Sequence, residues 1–299
     1  MSRISDFYGI TGSLPFVDVD INIDNLLYVD PHAVRLSKNP QPFAMDAVRS
    51  MDSFIDQVTG DILSSSVAAN RHGEDLLQHF TEPWETRLGM AAEGFSGHGG
   101  AAAVGTMIAD TFRTDARAVL EIGALKRLER LPLFVEGVDK DITSDITTRI
   151  IFHPLAAFTA QMVADFPQFT AGGHRVESFR RQFWNLSTRE WDEIGVSLPV
   201  ADGKPLLLVP VGWGRGSLLM SARRYYGKSV LGYVQDEEAY VGGDGKPIKS
   251  NKDELRARPS LKPRGRKTNI DVTVRADANG EDLPGEFTTY VDGKWTDVA

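Results

Sequence analysis

The chain of 299 residues contains no cysteine. This excludes disulfide staples, thiol catalysis and cysteine-held zinc or iron–sulfur clusters, and leaves histidine and carboxylate as the only strong metal ligands. Histidine is itself scarce: the six residues are scattered, and neither H-E-x-x-H nor a G-x-S-x-G elbow occurs. A zinc-peptidase helix and a serine triad therefore have no support. No glycine-rich stretch ends in G-K-[ST], so there is no Walker A loop. No run approaches the roughly 18 apolar residues of a membrane span, and the opening MSRISDFYGITGS lacks the apolar core of a secretory signal. The expectation is a cytoplasmic protein with no membrane partner.

Hydrophobic residues at 41% and charged residues at 25% are ordinary for a globular chain, and the length suggests one or two domains. The net charge of −8 is unevenly spread. Nine Lys or Arg stand against two acids from Lys246 to Lys267, a local balance of +7 that leaves −15 on the rest. An acidic body thus carries one basic arm.

Several elements can be read in order. Residues 14–29 alternate in part as a half-buried strand does, with Asn25 turning the chain into a second strand, LLYV. Asp30 before Pro31 is a helix-start signal, because Asp caps free N–H groups and Pro fits the first helical turn. From Phe43 to Leu63 the residues Val48, Met51, Ile55, Val58 and Ile62 recur every three or four positions, which predicts an amphipathic helix. Helices are expected over 101–112 and from about 114 to 129, then a short strand at 133–135 and a long helix from Thr143 that Pro154 kinks or ends. The segment 176–191 has helical character. Asp202-Gly203 between apolar runs predicts a hairpin. A helix with a break at Gly227 follows, then a short helix KDELRAR capped by Asn251, and strand-like IDVTV and FTTYV in the tail. The pattern predicts an α+β or mixed α/β fold, with a central mixed sheet flanked by helices, a basic loop and a C-terminal strand-rich tail. The division expected is a core domain over 1–241 and an arm with a β-containing tail over 242–299.

Carboxylates cluster most tightly between Leu131 and Phe166, where Glu136, Asp139 and Asp141 precede a helix carrying Asp145. Hard cations such as Mg²⁺ or Mn²⁺ take oxygen ligands, often one or two carboxylates plus substrate phosphate. In that scheme Asp139, Asp141 and Asp145 hold the metal, Glu136 is a ligand or a base for water, and Glu82 or Glu85 joins them. The competing reading makes Asp139 and Asp141 turn formers and Ser144 and Asp145 helix caps.

Gly97, Gly99 and Gly100 with Ala102 fit a relaxed G-x-G-x-x-A loop before a helix, which suits a nucleotide phosphate. No clear strand precedes it. In the basic arm Lys262, Arg264, Arg266 and Lys267 can contact nucleic-acid phosphates, or dock on the chain's own acidic body. Arg180, Arg181, Trp184 and Arg189 could widen such a surface. The leading expectation is a metal-dependent phosphodiesterase or nuclease, a hydrolase acting on nucleic acid. The alternatives are a non-catalytic nucleic-acid-binding or sensor protein, and a nucleotide-binding enzyme using the glycine loop. A second copy or a protein partner is a further expected contact.

Overall fold

The computed structural model of the protein describes all residues except 1, 24, 90–99, 244, 263–265 and 297–299; the side chains of 100–102 also lie outside the description. With 52% helix against 14% strand, the strands in three small antiparallel ladders flanked by helices, the class is α+β. The chain forms two compact units, one of residues 1–109, 140–218 and 296–299, the other of 110–139 and 219–295.

The first unit is built around the helix Phe43–Leu63, whose apolar stripe buries Met51, Phe54, Ile55, Val58 and Ile62. Its span is the one the 3.6-residue period predicts. The helix Val67–Leu76 returns along it, and His72 fastens the pair: Nδ1 lies 2.6 Å from Asp61 and Nε2 lies 2.9 Å from Glu190. The strand holding Glu190 belongs to a long hairpin. In chain order the strands are β1 (Tyr28–Val29), β2 (Arg175–Asn185), β3 (Glu190–Ala201), β4 (Lys204–Pro205), β5 (Gly214–Arg215), β6 (Tyr240–Val241) and β7 (Pro247–Ile248). They form the ladders β1–β5, β2–β3–β4 and β6–β7 in place of a central mixed sheet.

Asp202 and Gly203 both have positive φ, 49° and 72°, so β3 and β4 meet in the two-residue turn that Asp-Gly predicts. The stretch read as helical from Val176 to Trp191 is the β2–β3 hairpin, with Trp184 opposite Trp191. Both rings pack on Phe54, centroids 5.0 and 5.7 Å away, and this aromatic contact outweighs the weak helical pattern. Pro154 acts as expected: one helix ends at Ile150 and a second, Phe152–Asp165, carries the proline in its first turn.

The second unit differs more from its sequence reading. Leu131–Phe134 is a short buried helix, since Pro132 suits a first helical turn, and only Val135 is extended. The tail is helical, over Lys267–Ala278 and Leu283–Asp292. Its strand-like IDVTV and FTTYV bury residues at helical spacing instead: Asn269, Val272, Thr273 and Ala276 in one helix, Leu283, Phe287 and Val291 in the other. Tyr225 sits at the core of the unit, 5.7 Å from the Phe134 ring and 5.2 Å from Phe287, with its hydroxyl 2.7 Å from Thr273 Oγ1. Helical chain runs from Ala222 to Glu237 through a π-helical segment, Tyr226–Val230, centred near the expected break at Gly227.

Candidate anion site at the start of the Lys140 helix

The helix Lys140–Ile150 carries Lys140 and Asp141 in its first turn and buries Ser144 in its second. Ser144 Oγ accepts the Val29 backbone N–H at 2.9 Å, and this bond lays β1 along the start of the helix. In the ladder, Tyr28 pairs with Arg215 and Val29 with Gly214, while the Asp30 N–H donates to the Trp213 carbonyl at 2.9 Å. Side chains alternate along a strand, so Tyr28 and Asp30 share one face with Trp213 and Arg215.

Of the four polar groups on that face three are dry, while the Arg215 side chain is 34% exposed. Tyr28 and Trp213 are fully buried and Asp30 is 1% exposed. Arg215 Nε lies 4.0 Å from Asp30 Oδ2, and Lys140 Nζ stands 4.4 Å from the centre of the Tyr28 ring. Asp30 is also engaged as a helix cap, accepting the His32 and Ala33 N–H groups. Among the described residues the Tyr28 hydroxyl and the Trp213 Nε1–H have no hydrogen-bond partner. Each such group costs about 1–3 kcal/mol while it stays dry. Two donors without acceptors, one guanidinium and one ammonium make a setting suited to an anion. The two carboxylates, Asp30 and Asp141, balance the two cations. Gly89, at φ 139°, completes the rim: a Cβ there would lie 3.2 Å from Asp141 Oδ1.

The residues singled out from the sequence are distributed as follows. Asp141 and Asp145 belong to the first unit, Glu136 and Asp139 to the second, where both are exposed. Among the described residues no group of three or more His, Asp or Glu converges as a metal cage. Gly97 and Gly99 lie outside the described residues, and Gly100 is the first residue of the helix Gly100–Arg113. In the arm, Arg264 is outside the description and Lys262 is exposed. Arg266 Nε donates to the Pro132 carbonyl at 2.8 Å and Lys267 lies 3.3 Å from Asp271. Lys249 pairs with Asp236 and Arg258 with Glu238, so the arm docks much of its charge on acids of its own unit.

Glu85 lies in a separate buried cluster of the first unit. It is 1% exposed, with Arg181 Nε 2.7 Å from one oxygen and Arg149 3.6 Å from the other. Arg149 also donates to the carbonyls of Thr81 and Glu82 at 2.5 and 2.6 Å. Burial holds its pKa below the usual arginine value, and the Glu85 charge opposes that shift. The Arg-rich surface suggested for β2 is therefore partly interior: Trp184 is 2% exposed and Arg181 is committed to Glu85.

Fold and site together define an α+β protein whose first unit presents a buried, donor-rich face at a helix start. The chain belongs to the family described as a domain of unknown function, DUF8370, which it matches over residues 10–220. Tyr28, Lys140, Trp213 and Arg215 all fall inside that span. No curated protein and no solved structure matches the chain. Among the described residues no helix is long and apolar enough to cross a membrane.

Proposed function

We propose that the first unit binds a phosphate-bearing ligand of the nucleotide class at the start of the Lys140–Ile150 helix. The observation that carries this reading is the pair of fully buried donors, Tyr28 OH and Trp213 Nε1–H, that have no partner among the described residues, on the same face as Arg215 and beside Lys140. A phosphate group offers several acceptor oxygens at once, so it can take both neutral donors, the guanidinium fork and the ammonium together. The positive end of the helix dipole adds to the attraction. The balance of two cations against two carboxylates favours a phosphate that travels with a divalent cation over a bare anion. Mg²⁺ or Mn²⁺ would then be held by Asp141 and by the ligand's own oxygens, and would supply charge neutralisation. A nucleotide ligand is consistent with a cytoplasmic location.

Hydrolysis of a phosphodiester is the second reading, favoured by the place of Asp141 in the same helical turn as Lys140. A nucleic-acid strand would be the substrate, and the exposed Lys262 a contact for its backbone. Without turnover, the same site makes the protein a non-catalytic binder or sensor.

Titration calorimetry with inorganic phosphate, nucleoside mono-, di- and triphosphates and short oligonucleotides, with and without Mg²⁺, tests the binding. Saturable binding weakened about tenfold or more in Tyr28→Phe is expected, from the roughly 1.5–3 kcal/mol of a hydrogen bond to a charged acceptor. Absence of binding by every one of these probes would overturn the proposal. Oligonucleotide cleavage that needs Mg²⁺ or Mn²⁺ and is lost in Asp141→Asn would establish the hydrolytic reading; binding without cleavage leaves the sensor.

A further inference from the structure

The second unit gathers positive charge around one helical turn of unusual winding. Within the run from Ala222 to Glu237 the segment Tyr226–Val230 is π-helical, a form seen mostly as single turns and frequently at functional sites. Three elements bring cations to it. Arg224 and Lys228 come from the run itself, Lys252 and Arg256 from the helix Lys252–Ala257, and Lys294 from just beyond the helix Leu283–Asp292.

Contacts fix this grouping. Lys228 Nζ stands 5.0 Å from the centre of the Tyr290 ring and Lys294 Nζ 4.4 Å from it, and the negative ring face favours both ammonium groups. Lys252 Nζ donates to the Gly227 carbonyl at 2.7 Å, and a Cβ at Gly227 would lie 3.8 Å from Arg256 Nη2. Arg224 stands four residues before Lys228, and its charge reaches Tyr290 as well.

The charge gathered here is not neutralised by the chain. Arg256 pairs with Asp253, but among the described residues Arg224, Lys228, Lys252 and Lys294 form no ion pair with a carboxylate. Elsewhere in the arm Lys249 and Arg258 do. The crowding shows in two groups. Burial, then the charges of Lys228 and Arg256, hold the Lys252 ammonium below the usual lysine value, against the opposing charge of Asp236. A hydrogen bond with Lys294, then the charges of Lys294, Lys228 and Arg224, hold the Tyr290 hydroxyl below the usual tyrosine value, against a contribution from burial. Like charges assembled from separate elements repel in the free protein, and a polyanion replaces that repulsion with attraction.

A second feature adjoins the cluster. Lys228 and Tyr290 line a cavity of about 700 Å³, inside the roughly 300–1,000 Å³ of ligand pockets, whose further walls carry Tyr233, Asn279, Glu281 and Glu286. Its carboxylates disfavour a phosphate, whereas amide and carboxylate oxygens accept the N–H groups on the edge of a nucleobase. A ligand that is polyanionic along one side and donor-bearing on the other matches cluster and cavity together. An unpaired nucleic-acid strand has this form, because its bases are free to leave the stack.

We propose that this face of the second unit binds single-stranded nucleic acid, its phosphates on Arg224, Lys228, Lys252 and Lys294 and one base in the cavity beside Tyr290. The surface shares no residue with the phosphate site of the first unit and does not depend on it.

The test is fluorescence anisotropy of the full chain with short labelled single strands of mixed sequence, DNA and RNA. At about 0.7 units of salt slope per phosphate on a single strand, three or four contacts predict an affinity that falls roughly 20- to 50-fold between about 50 and 200 mM salt. Arg224 and Lys294 are exposed, so the double variant Arg224→Gln, Lys294→Gln should fold normally, bind about tenfold more weakly and lose roughly 1.4 units of that slope. Tyr28→Phe, in the other unit, should leave the affinity unchanged. Failure of both strands to bind overturns the proposal. So does equal or tighter binding of the matching duplex, of inorganic polyphosphate or of phosphatidylglycerol vesicles. Binding that is lost in Tyr28→Phe and kept in the double variant would assign the strand to the phosphate site of the first unit and sink this proposal alone.

Discussion

Replacing Tyr28 by phenylalanine removes one oxygen and keeps the ring that Lys140 stands over, 4.4 Å from its centre. The hydroxyl is fully buried and lacks a partner among the described residues, so the folded protein carries its desolvation cost of about 1–3 kcal/mol without a compensating bond. Tyr28→Phe should therefore stabilise the ligand-free protein by up to that amount, while weakening phosphate-ligand binding about tenfold or more. At roughly 2–4 °C per kcal/mol for a unit of this size, the melting point of the first unit should rise by several degrees. Urea unfolding followed by tryptophan fluorescence suits the measurement, because Trp84, Trp184, Trp191 and Trp213 lie in the first unit and Trp295 in the second. A Tyr28→Phe protein that is less stable by 1 kcal/mol or more, with unchanged ligand affinity, would refute the reasoning. The hydroxyl would then be a structural group with a partner of its own.

Three further perturbations bear on the first unit. Arg149→Met strands the 1%-exposed Glu85 with Arg181 alone and removes the guanidinium donors from the Thr81 and Glu82 carbonyls; breaking a buried pair from one side costs about 3–5 kcal/mol, and a loss under about 1 kcal/mol in urea unfolding would contradict the buried-pair account. At His72, burial lowers the pKa, but hydrogen bonds and charge from Glu190 and Asp61 outweigh it and the net shift is upward. The stability this clamp adds is therefore fully present below the ordinary histidine pKa of about 6.5 and fades as pH rises through the raised value; a denaturation series across that window should slope downward in the wild type and flatten in His72→Gln, and an equal slope in both would rule the clamp out. Gly105→Ala should destabilise the unit by about 1–3 kcal/mol or more, since the added Cβ would fall 2.1 Å from the Leu77 carbonyl oxygen; an unchanged melting point would show that this close approach is not a constraint.

Local signals proved reliable where a short stretch contains the whole physical cause. Asp30 accepts the N–H groups of its own helix start, Asn251 caps Lys252–Ala257, and Asp202-Gly203 supplies the left-handed pair a tight hairpin needs. The period of Val48 to Ile62 likewise marks a face that stays buried. The tail misleads because β-branched IDVTV and FTTYV favour strands by propensity, while their burial follows a helical face closed by Tyr225 and its neighbours. An N-cap signal was present there as well: Asp282 stands just before Leu283-Pro284, much as Asp30 stands before Pro31. The candidate site was legible only in part. Asp141 could be placed at a helix start from its neighbours, whereas Tyr28, Trp213 and Arg215 carry no motif.

The sequence by itself determined the absence of thiol chemistry, the uneven charge, the α+β character and those elements whose caps and periods are local, because each depends on residues within a turn or two of one another. Tertiary structure alone decided that Tyr28 meets Arg215, that Ser144 receives the Val29 N–H, and that Tyr28 OH and Trp213 Nε1–H are buried without an acceptor among the described residues. These facts depend on pairing across more than a hundred residues of chain, where solvent exclusion is set by the packing of whole elements and no local pattern records it.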